Sequence, residues 1–196
     1  TIRTGAGSDV ILFNRGDGVD TLIADRDGDN TLSFGGGIRY SDLTFSKEGR
    51  NLVVGTGGDD RVVLRNWYGG KQSVRNLQIV LDASEDFDSG SADPLYNRKV
   101  QTFDFLGLVG TFDAARSATP GLTSWALANA LLQFHLSGVD DMALGGDLAY
   151  WYGRNRSFAG ISLAAAQQVI GAAGFGSDAQ TLRPFSGLQE GFVKLS

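Results

Sequence analysis

Three oxygen-bearing side chains, Asp9, Asp20 and Asn30, recur eleven and then ten positions apart. Each stands two residues after a glycine (Gly7, Gly18, Gly28) and two before an apolar residue (Ile11, Leu22, Leu32). Side chains of this type at this rhythm suit the binding of a hard cation, since calcium takes about six to eight oxygens from carboxylates and backbone carbonyls. The glycines belong to the same pattern, because a turn at positive φ aims its carbonyls where a side-chain-bearing residue resists doing so. Asp17, Asp25, Asp27 and Asp29 thicken the acidic set. Ordinary turn chemistry is the competing reading, as Asp and Asn favour turns without any metal and solvated acids are the default.

The elements that must position these residues are short. Each glycine-rich turn leads into a strand-like triplet, Val10-Ile11-Leu12, Thr21-Leu22-Ile23 or Thr31-Leu32-Ser33, whose central residue is placed to point inward. One inward side chain per strand buries too little to offset the ordering of the chain, and carboxylates gathered in the turns repel. A divalent cation relieves both difficulties.

The unit Thr4-Gly5-Ala6-Gly7-Ser8-Asp9-Val10-Ile11-Leu12 resembles the nonapeptide G-G-x-G-x-D-x-U-x of calcium-binding RTX proteins, with Thr4 at the first glycine. Arg15-Gly16-Asp17-Gly18-Val19-Asp20-Thr21-Leu22-Ile23 follows the same pattern with Arg first, and Asp25 to Ser33 is a poorer copy carrying Asp29 and Asn30. The resemblance implies a parallel β-roll with turns stacked on two sides. It places an ion between the turn Gly5–Asp9 and the turn Asp25–Asn30, and stacks Gly16–Asp20 on the other side. The metal ligands so implied are Gly5, Gly7, Asp9, Gly16, Asp17, Gly18, Asp20, Asp25, Asp27, Asp29 and Asn30. Spacings of ten and eleven in place of nine imply widened turns.

Downstream, "LSFGGGIRYSDLTFSKEGRNLVVGTGGDDRVVLRNWY" is similar to the haemolysin-type calcium-binding-related segment that follows degenerate RTX repeats. Its runs Leu43-Thr44-Phe45, Leu52-Val53-Val54, Arg61-Val62-Val63-Leu64 and Leu77-Gln78-Ile79-Val80, separated by glycines, read as strands joined by turns. "DASEDFDSGSADP", residues 82 to 94, has no periodic apolar face and reads as a linker. Beyond it, "WALANALLQFHL" after Ser124 carries apolar residues at helical spacing. "DMALGGDLAYWYG" and "SLAAAQQVIGAAGFG" with Ser162 as N-cap suggest two further helices. The last two also look like the ends of large RTX proteins.

The whole predicts a mixed β and α fold: a short calcium-binding parallel β-roll with a β-rich continuation over 1–82, a linker over 83–95, and a mainly helical C-terminal subdomain over 96–196. At 196 residues and 42% hydrophobic, the chain has enough apolar material for a core. A net charge of -5 without a Lys/Arg block argues against nucleic acid. No run of about 18 apolar residues suggests a membrane span. The absence of cysteine excludes disulfides, thiolate nucleophiles and cysteine-based metal sites.

The chain is expected to be part of a larger polypeptide, secreted to the extracellular medium, with calcium as cofactor and the type I secretion apparatus as a partner implied by the resemblance. It is not expected to be an enzyme. Two other functions stand beside this one. An adhesive or glycan-binding domain with structural calcium would use Trp67-Tyr68 and Tyr150-Trp151-Tyr152 as a sugar platform, against which core packing is the commoner role of such rings. A calcium-triggered self-cleaving module would act at Asp93-Pro94. His135, the single histidine, lies in a segment with Asp140, Asp141 and Asp147, and a packed or capping role outweighs a catalytic or metal-binding one.

Overall fold

A computed structural model of the chain describes residues 1–24, 28–141 and 143–159. Within them the fold is mixed and mostly β. In chain order the strands and helices are β1 (Ile2–Arg3), β2 (Val10–Asn14), β3 (Val19–Ile23), β4 (Asn30–Gly35), β5 (Leu43–Glu48), β6 (Asn51–Thr56), β7 (Arg61–Leu64), β8 (Val74–Val80), β9 (Val100–Asp104), α1 (Phe105–Ala118), β10 (Trp125–Ala126), β11 (His135–Val139) and α2 (Gly146–Asn155). They form one sheet in the order β1-β3-β7-β6-β5-β10 and a second in the order β11-β9-β8-β4-β2.

The first four strands alternate between the sheets, and so do β7 and β8. β1, β3 and β7 are parallel neighbours in the first sheet, and β2, β4 and β8 are parallel neighbours in the second. The register explains why the central apolar residues stand where they do. Ile11, Leu32 and Leu77 align across one sheet, Phe13, Phe34 and Ile79 beside them, and Leu22 aligns with Leu64 across the other. All eight are buried in one core. Side chains of a strand alternate between faces, so Thr31, Ser33 and Gln78 are turned to the other face of the second sheet. The β5–β6–β7 meander inserts between the repeat strands with antiparallel pairing. Its turns fall at Gly49 and at Gly57-Gly58, all at positive φ.

The segment "WALANALLQFHL" is not a helix. It runs as β10, a 3-10 turn over Leu127–Asn129, further turns, and β11. β10 pairs with β5, and β11 pairs with β9. Each extends an edge that would otherwise leave backbone groups open, and those ladders outweigh the modest helix propensity of an apolar run. Trp125 stacks on Phe45 at 6.2 Å, and Leu127, Ala130 and Leu131 are buried, while Leu132 stays 61% exposed.

Helix forms instead at α1, where the Asp104 side chain accepts a hydrogen bond from Gly107 N at 3.1 Å as an N-cap. α1 buries Phe105, Leu108, Val109 and Phe112. Phe105 packs edge-on against both Phe45 and Trp67. "DMALGGDLAYWYG" is helical from its glycine pair onward, since Gly145 in the left-handed region serves as the N-cap of α2. The helix expected after Ser162 lies outside the described residues.

Residues 82 to 94 are closely tied down. Asp88 N donates to Tyr96 O, Leu95 N to Asp93 Oδ1, and the Tyr40 hydroxyl to Leu95 O. The strands on either side, β8 and β9, are antiparallel neighbours, so Leu77 faces Phe103 across this stretch. Residues 95 to 131 contribute to the same core cluster as the repeat.

Candidate metal centre

The turns between strands gather on two opposite edges of the sheet pair. On the first edge, the turn after β1 lies against the residues that lead into β4. Asp29 N donates to Gly7 O at 3.2 Å and Thr31 N to Asp9 O at 2.8 Å. Asp9 N donates to the side-chain oxygen of Asn30 at 2.9 Å. Asn30 is completely buried, and its backbone N–H donates to Ser73 O at 2.7 Å, which joins a third turn to the stack. Gly7, at φ 108, makes the bend that an L side chain would resist.

This leaves Asp9 half-buried. Its Oδ2 is shielded from solvent and has no hydrogen-bond partner among the described residues. Burial pushes the Asp9 carboxyl pKa up, because desolvation disfavours the charged form. A buried carboxylate oxygen without a donor is costly, and a cation at that oxygen reverses the cost.

On the second edge, the turn after β2 lies against the turn between β6 and β7. Here a protein carboxylate closes the stack. Asp60 accepts hydrogen bonds from Gly16 N at 2.7 Å and Gly18 N at 3.0 Å, and Arg61 N donates to Gly18 O at 2.9 Å. Positive φ at Gly16 and Gly18 directs their amides towards the Asp60 oxygens. Asp17 turns back to accept from Asn14 N at 2.8 Å and lies 3.4 Å from the Tyr152 hydroxyl. The Arg15 guanidinium pairs with Asp42 and donates to Gly37 O. Asp20 Oδ1 stands 3.4 Å from the Thr1 amino group.

The structure therefore brings Gly7, Asp9, Asp29 and Asn30 together, with Gly5 in the same turn. Gly16, Asp17, Gly18 and Asp20 are on the opposite edge, and all four serve protein hydrogen bonds. Asp25 and Asp27 lie outside the described residues. Among the described residues, no group of three or more His, Asp or Glu side chains is close enough to hold a metal ion. Asp60 is the residue for which the sequence carried only a weak signal: Asp59-Asp60 after Gly57-Gly58 reads as a turn, and nothing local says that its carboxylate reaches Gly16.

The other candidate groups are engaged in packing. His135 contacts Gln101 at 2.7 Å and packs on Phe103, and burial lowers its pKa. Trp67 is 1% exposed in the core, which removes it from any sugar platform. Tyr150 donates to Asp82 Oδ2 at 2.7 Å, and burial with that carboxylate pushes its pKa up to about 12. The exposed Asp93-Pro94 pair sits in a turn where the Asp93 carboxylate accepts from Leu95 N. No helix of the described residues is long and apolar enough to cross a membrane.

No family model matches the chain, and no match was found among curated proteins or solved structures.

Proposed function

We propose that this chain is a calcium-binding module of RTX type, the C-terminal part of a larger secreted protein, in which calcium drives folding after passage through a type I secretion channel. The observation that carries the reading is the buried, unpartnered Asp9 Oδ2 between two turns already cross-linked by the Gly7, Asp9 and Asn30 hydrogen bonds. The alternation of parallel strands between two sheets supports reading residues 1–35 as the short β-roll that the repeat resembles.

Asp9 with Asn30, Asp29 and the backbone of Gly5 and Gly7 would hold the ion. Bound there, it supplies positive charge to a desolvated carboxylate. Because the pocket of oxygens exists only when the turns stack, binding free energy becomes folding free energy. At cytosolic calcium levels the carboxylate favours the open chain. Outside the cell, a site with Kd on the order of 10⁻⁴ M, in the range of extracellular modules, suffices to close it.

The test is a calcium titration followed by circular dichroism and thermal melting of the parent and of Asp9→Ala. Calcium should raise the melting temperature of the parent and not that of the variant. A parent whose melting is the same in calcium and in chelator sinks the proposal.

A further inference from the structure

The second sheet has an inner face of Leu32, Phe34, Leu77 and Ile79 and an outer face that includes Thr31, Ser33 and Gln78. These polar residues belong in water by type, yet they are 3%, 3% and 0% exposed. Residues 143–155, ending in α2, cover them. The cover buries Ala143, Leu144 and Ala149 and is held as well by polar and backbone contacts. Gln78 grips the backbone of Leu144 at both ends, accepting from Leu144 N at 2.5 Å and donating to Leu144 O at 3.2 Å. Gly36 N donates to Gly153 O at 2.6 Å, and Asn14 Nδ2 to Tyr152 O at 3.0 Å. Asp82 receives Tyr150 and Arg154.

Two features make this cover conditional. The face beneath it mixes Thr31, Ser33 and Gln78 with Val10 and Val80, and it lies on the side of the sheet away from the core, so releasing the cover leaves the inner core closed. Its grips are also spread over different strands: Asn14 ends β2, Gly36 directly follows β4, and Gln78 lies in β8. A side-chain carbon at Gly35 would fall 2.3 Å from Gly153 O, and one at Gly153 would fall 2.6 Å from Val80. The backbones meet so closely that the helix seats only when β2, β4 and β8 are in register. β2 begins directly after Asp9 and β4 begins at Asn30, the residues joined across the candidate metal centre.

We infer that residues 143–155 are a strap whose docking on the outer face of the second sheet reports, and reciprocally strengthens, occupancy of the Asp9–Asn30 cation site. The inference rests on the calcium reading above and adds a coupled element to it. The cation locks β2 against β4, and the locked pair presents Asn14, Gly36 and Gln78 at the spacing that the strap requires. Coupling is mutual, so a strap that cannot dock weakens calcium binding by the factor by which calcium favours docking.

Amide hydrogen exchange on the full chain, in calcium chloride and in chelator, tests this with the parent, Gly153→Val and Gln78→Ala. In the parent, calcium should slow exchange across 143–155 by about tenfold, within the usual range of such couplings. Gly153→Val should leave 143–155 fast in both conditions while β2 and β4 still gain protection in calcium, with affinity for the ion reduced by the same factor. Gln78→Ala should act in the same direction and more weakly, since it cuts one grip without a clash. If the parent's β2 and β4 respond to calcium and 143–155 does not, the strap is independent and this inference fails while the calcium reading stands. If neither responds, both fail. Protection of β5 to β7 in each variant reports that the remainder is folded.

Discussion

Two stacks of glycine-rich turns, built from similar sequence units on opposite edges of one sheet pair, are closed by different means. On the Gly16–Gly18 edge the amides point at an anion that the protein supplies, the Asp60 carboxylate. On the Gly5–Asp9 edge the anion, Asp9, is the member left without a donor. The lesson is that the repeat unit does not by itself specify a cation site. What the neighbouring turn brings decides whether the turn amides meet a carboxylate, as at Asp60, or a carboxylate oxygen is left without a donor, as at Asp9.

The comparison breaks most readily on the first edge. With Kd on the order of 10⁻⁴ M and calcium at 100 times Kd, the ion should stabilise the parent by about 2.7 kcal/mol, and Asp9→Ala should remove that increment. Calorimetric melts in calcium and in chelator read it directly. A Gly16–Gly18 variant that abolished the response equally would erase the distinction between the edges.

Next in size is Asp60→Ala, which leaves the Gly16 and Gly18 amides without their acceptor. It should cost about 2 kcal/mol, by the same amount in calcium and in chelator. Urea unfolding in both conditions is the check, and a loss confined to calcium would reassign Asp60 to the metal centre.

Gly7→Ala and Gly16→Ala form a matched pair. Each forces an L residue to positive φ, at roughly 1 kcal/mol, so their melts in chelator should fall together. Only Gly7→Ala should also shift the calcium midpoint.

The smallest effect is the pH dependence of the cation-free protein. Burial raises the Asp9 pKa, so the folded state binds this proton more tightly than the unfolded state does. Its contribution to stability is present below the unfolded pKa and is lost as pH rises through the folded value. In chelator, Asp9→Asn should therefore gain stability relative to the parent at neutral pH, and the gain should shrink on acidification. Parallel melting curves at neutral and acidic pH would remove Asp9 from this role.

Residues 4 to 35 were legible because their signals are local. Glycine at a bend, oxygen-bearing side chains after it, and an inward central apolar residue follow from backbone sterics and strand alternation, and Ile11, Leu22 and Leu32 are buried as that pattern predicts; β2 and β4 bury a second residue each, Phe13 and Phe34, where the pattern predicts only one per strand. The strands from Leu43 to Val80 were legible for the same reason. "WALANALLQFHL" was misleading because its apolar spacing suits a helix, while its actual conformation answers to edges of β5 and β9 that it meets only in the folded chain. The candidate site was half legible. Asp9, Asp20 and Asn30 share one spacing, and nothing in the letters separates Asp9, which lies beside Asn30, from Asp20 on the opposite edge.

The sequence by itself determined the turn-and-strand repeat and the inward residues Ile11, Leu22 and Leu32, because these depend on residue type and spacing of a few positions. Only the tertiary structure decided that Asp9 Oδ2 is shielded without a hydrogen bond among the described residues, that Asp60 answers Gly16 from 44 positions away, and that Gln78 holds Leu144 across 66. Those pairings depend on which coil lies beside which, and stacking is a property of the folded chain with no local trace in the sequence.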